Sequence, residues 1–146
     1  MNLELTIREF KPEDAESIYE LNCTEMGYEF SLEETKEKLS RLSLSIKDKI
    51  FVAIIDNHVA GYIHANDYDV IYAPHMKNIM GIAVSAKYKR QGIGTALLKA
   101  VENWGKSTGA SGIRLVSGAT RTEAHEFYRC CGYSGEKRQI NFKKKL

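Results

Sequence analysis

A basic loop with two glycines is the segment of the chain whose residue types point most directly to chemistry. It consists of Lys89, Arg90, Gln91, Gly92, Ile93, Gly94 and Thr95, between an apolar run and a strongly helical pattern. The N-terminus of a helix offers unpaired N–H groups and a positive dipole end, and glycines without Cβ let an anion approach the backbone. The pattern indicates a phosphate site; the alternative is a solvated basic turn whose glycines serve only chain geometry.

This loop differs from two common phosphate motifs. No Lys-Ser or Lys-Thr pair follows its glycines, as a P-loop requires, and it lacks the third glycine of the dinucleotide fingerprint. The sequence therefore leaves the identity of the phosphate-bearing ligand open at this point.

A second candidate group is Tyr128, in a helical segment near the C-terminus. A phenol has a pKa near 10, so it is protonated at neutral pH and can donate a proton. The alternative is that Tyr128 only packs beside Phe127. His125 lies three residues before Tyr128, and we expect it to have a structural or surface role.

Composition and charge exclude several protein classes. The 146 residues are 43% hydrophobic and 27% charged, which excludes disordered and coiled-coil chains and predicts one domain over residues 1–146. The net charge of +2 gives no argument for nucleic-acid or membrane partners. Lysines and Arg138 flank Ile140 and Phe142 near the C-terminus, but a solvated strand edge explains them more simply than nucleic-acid binding.

The cysteines and histidines predict neither disulfides nor a metal site. Three cysteines, Cys23, Cys130 and Cys131, form no Cys-x-x-Cys pair, and we expect His58 in a turn and His64 in a strand. The N-terminus does not have the pattern of a signal peptide, and no apolar stretch is long enough to cross a bilayer. A cytoplasmic protein is expected.

The hydrophobic pattern predicts the element order β-α-α-β-β-β-α-β-α-β. Ser31 and Glu34 form a capping-box pattern at the start of the second helix, and Gly109 can end the third. The expected strands are 3–8, 51–55, 59–68, 79–84, 113–116 and one around Ile140 and Phe142; the expected helices are 12–23, 31–42, 92–108 and one that ends before Gly132.

The loop and the last helix together resemble the GCN5-related N-acetyltransferase (GNAT) superfamily. The loop from Lys89 to Gly94 is similar to the family's Arg/Gln-x-x-Gly-x-Gly/Ala motif, with lysine at a position where arginine or glutamine is usual. The segment from Ala124 through Phe127 and Tyr128 to Gly132 and Tyr133 is similar to the family's Ala-x-x-Phe-Tyr…Gly-Phe helix. Arg121 stands where many members have asparagine.

The resemblance implies an α/β (α+β) fold, with a mixed, mostly antiparallel sheet flanked by helices. It also implies an acetyl-CoA-dependent N-acetyltransferase in which a primary amine of a small molecule or peptide attacks the thioester directly. Acetyl-CoA is then a co-substrate and no metal is needed. A non-catalytic CoA-binding regulatory module is the alternative. Small members often pair through terminal strands, so a homodimer is expected.

The resemblance also assigns roles to residues. The loop from Lys89 to Thr95 would hold the pyrophosphate, Ile82, Ala83 and Val84 would bind the pantetheine arm, and Tyr128 would contact the sulfur as general acid. Residues 26–30, with Tyr28, Glu29 and Phe30 as candidate substrate-binding residues, and residues 66–75 would wall the acceptor pocket; the alternative is that the aromatic residues only cover the sheet. Tyr68 and Tyr72 would add aromatic lining, and the carboxylates of Glu29, Asp67 and Asp69 would favour a cationic amine. These three carboxylates, His75 and a water chain are the candidate bases.

Overall fold

The computed structural model contains a five-stranded sheet in the order β1-β2-β3-β4-β5. The neighbouring strands from β1 through β4 pair antiparallel, whereas β5 runs parallel to β4. The predicted mixed, mostly antiparallel sheet is confirmed. The strands are β1 Leu5–Glu9, β2 Asp48–Ile55, β3 His58–Tyr68, β4 Met76–Val84 and β5 Ile113–Leu115.

The structure describes residues 4–135 and 137–146, which divide after Leu115 into two units. The first unit contains the sheet with α1 Ala15–Thr24, α2 Leu32–Leu44 and α3 Ile93–Ser107. The second unit contains α4 Thr122–Cys130. No helix among the described residues combines the length and the apolar character that a bilayer crossing requires.

Helices pack on both faces of the sheet in the first unit. Ile18 and Leu21 of α1 and Leu39 of α2 form one buried cluster with Val52 and Ala83 of the sheet. We call this side of the sheet the α1 face. The other face is covered by α3, and a Cβ on Gly61 of β3 would lie 3.2 Å from Ile93 Cγ2. The close approach brings the first turn of α3 directly onto β3.

Two local signals in the sequence are confirmed by hydrogen bonds and dihedral angles. The Ser31 hydroxyl accepts a hydrogen bond of 3.1 Å from the Glu34 N–H at the start of α2. Asp56 and Asn57 have φ of 52° and 63°, the left-handed conformation that a tight turn between β2 and β3 requires. Local residues therefore determine both the start of α2 and the turn of the β2–β3 hairpin.

A register change in β4 and an early end of β5 open the sheet. His64 pairs with Gly81, but Ala65 pairs with Ile79, so Met80 is an extra residue in β4. Pairing between β4 and β5 stops at Ile79 and Leu115. We call this point the fork. Beyond it, the β4 edge that faces away from β3 pairs with no strand among the described residues.

Three strand predictions need correction, and the first is the strand predicted at 51–55, which begins at Asp48. The strand predicted at 79–84 begins at Met76, because the polar Lys77 is buried there by a partner that the pattern does not reveal. The predicted terminal strand is wrong: residues 137–146 have no regular secondary structure, and Ile140 and Phe142 are 79% and 86% exposed. A strand requires a hydrogen-bonded neighbour, and among the described residues the tail has none.

Candidate active site

The unpaired edge of β4 beyond the fork is the first part of the site. Ile82, Ala83 and Val84 lie on it, and Ala83 is buried in the cluster under α1. Alternate N–H and C=O groups along a strand point to either side, so this edge presents main-chain groups that β3 does not use. An extended pantetheine arm could pair there as an added strand.

The loop after β4 leads into the N-terminus of α3. Gly92 is the N-cap with φ of 75°, and its carbonyl oxygen accepts the first helical hydrogen bond, 3.0 Å from the Ala96 nitrogen. The N–H groups of Ile93 and Gly94 have no acceptor within the helix. Arg90 also has a positive φ, 64°, and the side chains of Lys89, Arg90 and Gln91 are exposed. Glycine at 92 is required by the backbone conformation as well as by access.

On the α1 face, Tyr62 of β3 donates a hydrogen bond to the Asn22 side-chain oxygen of α1. Burial raises the pKa of Tyr62 to about 12, and Tyr28 adds to the shift, whereas the bond to Asn22 opposes it. A Cβ on Gly81 would lie 3.7 Å from the Tyr62 hydroxyl oxygen, and apart from its chain neighbours no other atom of the described residues would lie within 4 Å of it. A neutral phenol therefore borders open space beside the fork.

A histidine–aspartate pair lies next to this phenol and was not singled out by the sequence. His64 Nε2 lies 2.7 Å from Asp48 Oδ1, and both side chains are largely buried. His64 faces Gly81 across the β3–β4 ladder and shares the α1 face with Tyr62, because strand side chains alternate. His64 was expected only as a strand residue. Its 16-residue separation from Asp48 left no local motif.

An arginine occupies the α1 face at the fork itself. Arg114 of β5 pairs with Asn78 of β4, and its Nη1 donates to Asn78 Oδ1 at 2.6 Å. The guanidinium carbon lies 4.2 Å from the centre of the Tyr68 ring. Tyr68 was predicted as an aromatic lining residue, whereas Arg114 was predicted only as part of a short strand.

Two of the three carboxylates expected to attract a cationic amine contact basic side chains. Asp67 Oδ1 is 2.5 Å from Lys77 Nζ, which also lies 3.9 Å from the centre of the Trp104 ring of α3. This pair is therefore on the face covered by α3, opposite the α1 face. Asp69 Oδ1 is 2.7 Å from His75 Nδ1. Asp67 and Asp69 therefore both contact basic side chains within the protein.

The loop between α1 and α2 contains the other predicted acceptor residues. Tyr28 lies close enough to Tyr62 to influence its ionisation, and its N–H donates to the Asn22 carbonyl at 3.0 Å. The side chains of Tyr28, Glu29 and Phe30 are exposed, and so is Tyr72, at 85%. The structure brings Tyr28 to the α1 face but gives no contact that would place Tyr72 in a pocket.

The predicted acid belongs to the second unit. Burial raises the pKa of the Tyr128 phenol and Cys131 adds to the rise, while Arg121 opposes it. The ring centre lies 5.3 Å from that of Phe127 and 6.3 Å from that of Tyr133. His125 Nε2 lies 2.9 Å from the Gly118 carbonyl oxygen, a bond between α4 and the preceding loop that matches the expected structural role.

Two further observations bear on what the residues could bind. The Ser117 Oγ is buried and has no hydrogen-bond partner among the described residues, so a bound ligand could satisfy it. Across residues 4–135 and 137–146, no three His, Cys, Asp or Glu side chains gather closely enough to hold a metal. The open β4 edge and the N-terminus of α3 fit a ligand that combines an amide-containing arm with phosphates.

Comparison with known proteins identifies the family. A profile of the acetyltransferase (GNAT) family matches residues 15–133, most of the chain. The chain belongs to the GNAT family. This GNAT protein is an acetyl-CoA-dependent N-acetyltransferase, as its motifs predict, and acetyl-CoA is its co-substrate. When bound, acetyl-CoA supplies the activated acetyl group.

Named proteins resemble this GNAT protein in sequence or in fold. Aminoglycoside N(6')-acetyltransferase type 1 of Stenotrophomonas maltophilia is 24% identical over 146 residues, 97% of this chain and 94% of that protein. The structure of aminoglycoside N-acetyltransferase AAC(6')-Iy with CoA gives a TM-score of 0.89 at 17% identity, covering 100% of this chain and 98% of that one. Glucosamine-6-phosphate N-acetyltransferase from Arabidopsis thaliana gives 0.83 at 17% identity, covering 97% and 99%.

Proposed function

We propose that this GNAT protein acetylates a primary amine of a small polar molecule, with amino sugars as the first class to test. The observation that carries the proposal is the fork, where the unpaired β4 edge lies next to polar groups of the α1 face. The names of the relatives support an amino-sugar acceptor, because they act on aminoglycosides and on glucosamine 6-phosphate.

The reaction forms a C–N bond and breaks the C–S bond of the thioester. The ammonium group of the acceptor must first lose one proton, the attacking nitrogen loses a second proton as the amide forms, and the departing thiolate gains one. We propose that His64 accepts the first proton from the ammonium group. Asp48 orients His64 through the 2.7 Å contact between Nε2 and Oδ1. We propose that Tyr128, whose phenol is neutral at neutral pH, donates the proton that the thiolate gains.

Release of free CoA thiol from acetyl-CoA, measured with a panel of amines, tests the proposal. The panel contains amino sugars, aminoglycosides, aliphatic diamines and a short peptide. We expect amine-dependent release with at least one amino sugar. Binding of acetyl-CoA without amine-dependent release from any compound would favour the non-catalytic module instead.

The pyrophosphate site leads to a binding prediction. Acetyl-CoA should raise the melting temperature of the parent, because it binds only the folded chain. Gly92→Val should largely abolish this rise, since a branched side chain both disfavours a φ of 75° and obstructs the helix N-terminus. Thermal unfolding with and without acetyl-CoA measures the effect.

Gly135→Val is the matched control, because a Cβ at Gly135 would meet no atom within 4 Å and its backbone is not left-handed. It should keep the full rise in melting temperature. An equal rise in Gly92→Val and the parent would show that the phosphates bind elsewhere.

The role of His64 leads to a kinetic prediction. His64→Gln keeps a polar side chain but cannot accept the amine proton, so the turnover number should fall about 10²-fold, within the usual range for general-base groups. The affinity for acetyl-CoA should be unchanged. His58→Gln, at the exposed first residue of β3, is the control. An unchanged turnover number in His64→Gln would assign the proton to water.

We also propose that the enzyme works in the cytoplasm as a homodimer. Free cysteines at 23, 130 and 131 agree with a reducing compartment, and cell fractionation tests that location. Exposed Ile140 and Phe142 offer apolar surface that a second copy could cover. Light scattering at micromolar concentration should give twice the chain mass for the parent and a lower mass when both residues are changed to lysine. A monomeric parent would contradict the dimer.

A further inference from the structure

We propose that the acceptor carries an anionic group, a carboxylate or a phosphate, which Arg114 binds while the amine reacts at the fork. The inference rests on the proposed function, since it specifies the chemical class of the acceptor for the same reaction. It differs from what the aminoglycoside-acetylating relatives suggest, because aminoglycosides are polycations.

The first support is the state of the Arg114 side chain. Among the described residues, no carboxylate lies within 4 Å of its guanidinium, and its hydrogen bond to Asn78 uses one of five N–H donors. Tyr68 supports the guanidinium plane from one side. A half-buried guanidinium held by a ring and an amide is oriented in advance for two parallel hydrogen bonds to a carboxylate or phosphate.

The second support is the distribution of neighbouring charges. On the same face, Asp48 contacts His64, and on the opposite face Asp67 contacts Lys77. Asp69 contacts His75. The acids of this part of the sheet therefore already contact basic side chains, whereas the positive charge of Arg114 has no counter-charge within 4 Å among the described residues. A polycationic acceptor would meet repulsion there, whereas an anion would be attracted.

The third support is position. Arg114 pairs with Asn78, one residue before the fork, and the open space beside Tyr62 lies over Gly81. At about 3.3 Å per residue, positions 78 and 81 are separated by roughly 10 Å or less along the strand. A small molecule with an amine and an anionic group a few bonds apart can reach both places.

Matched acceptors test the inference, with free thiol release as the readout. The phosphate arm compares glucosamine 6-phosphate with glucosamine, the carboxylate arm compares 4-aminobutanoate with butylamine, and kanamycin represents a polycation. We expect the parent to prefer the anionic member of at least one arm by about tenfold to 100-fold in kcat/KM, the range of one charge-assisted contact. Preference for the neutral members or for kanamycin overturns the inference.

Substitutions then connect the preference to the residue. Arg114→Gln should remove the preference, chiefly through KM, and leave the neutral member of the pair unaffected. Arg114→Lys keeps the charge without the planar fork, so it should retain part of the preference. Arg41→Gln, on the exposed surface of α2, is the control. Equal losses for the anionic and neutral members in both Arg114 variants would show a structural role and overturn the inference.

Failure of the proposed function is distinguishable from failure of this inference. If no amine is acetylated, calorimetric titration of the parent with glucosamine 6-phosphate and with glucosamine, in the presence of CoA, still measures the anion contact. Tighter binding of the phosphate, lost in Arg114→Gln, supports the inference, and equal binding overturns it.

Discussion

Asp67→Asn should lower the free energy of unfolding by about 3 kcal/mol, because it leaves the Lys77 ammonium buried beside a neutral amide. Lys77 is 2% exposed, and its contacts are the Asp67 carboxylate at 2.5 Å and the face of Trp104. The ring alone compensates only part of the lost hydration. Denaturant unfolding measures the change.

Two variants control this result. Glu9→Gln removes an exposed ion pair, with Glu9 65% exposed and 2.9 Å from Lys49, and should cost less than about 1 kcal/mol. Adding Lys77→Met to Asp67→Asn should recover most of the loss, because no charge is then left buried. Equal losses in Asp67→Asn and Glu9→Gln would mean that the Lys77 ammonium reaches water.

Tyr128→Phe should lower the turnover number about 10²-fold, the low end of the usual contribution of general acids, because a thiolate is already a fair leaving group. The ring and its packing against Phe127 and Tyr133 remain. Acetyl-CoA affinity should change little. The measurement uses an accepted amine at saturating acetyl-CoA.

The pH dependence has a definite sign. Burial raises the pKa of Tyr128 above its usual value near 10, so the proton-donating form is fully present at all lower pH. Tyr128 should therefore cause no fall in rate between pH 7 and pH 9. Tyr72→Phe, at an 85% exposed position, is the control and should match the parent. An unchanged turnover number in Tyr128→Phe would make it a packing residue.

Local patterns in the sequence predicted most of the fold. Ser31 with Glu34 and the Asp56-Asn57 turn depend on neighbours within a few residues, so their outcome follows from the sequence alone. The terminal strand failed because alternation at Ile140 and Phe142 cannot reveal whether a partner strand exists. The early start of β4 was missed because Lys77 needs a carboxylate ten residues away to be buried.

The candidate site likewise contains a part that the sequence predicted from a local motif and a part that depends on long-range strand pairing. The loop from Lys89 to Gly94 has a local motif, and the structure places it at a helix N-terminus. His64 with Asp48, and Arg114 with Asn78 and Tyr68, come together only through strand pairing, at sequence separations of 16 to 46 residues. No spacing rule in a single sequence marks such pairs. The fork likewise depends on where β5 stops pairing, which its apolar pattern does not specify.

The close contact at Gly61 affects the thermodynamics of phosphate binding. A Cβ there would lie 2.8 Å from the Ala83 carbonyl oxygen as well as against Ile93, and the Ser85 N–H donates to the Ala60 carbonyl at 2.8 Å. Both ends of the loop that leads to Gly92 are thus anchored on one short stretch of β3. The loop has little conformational entropy left to lose, so more of its interaction energy with the phosphates remains as affinity.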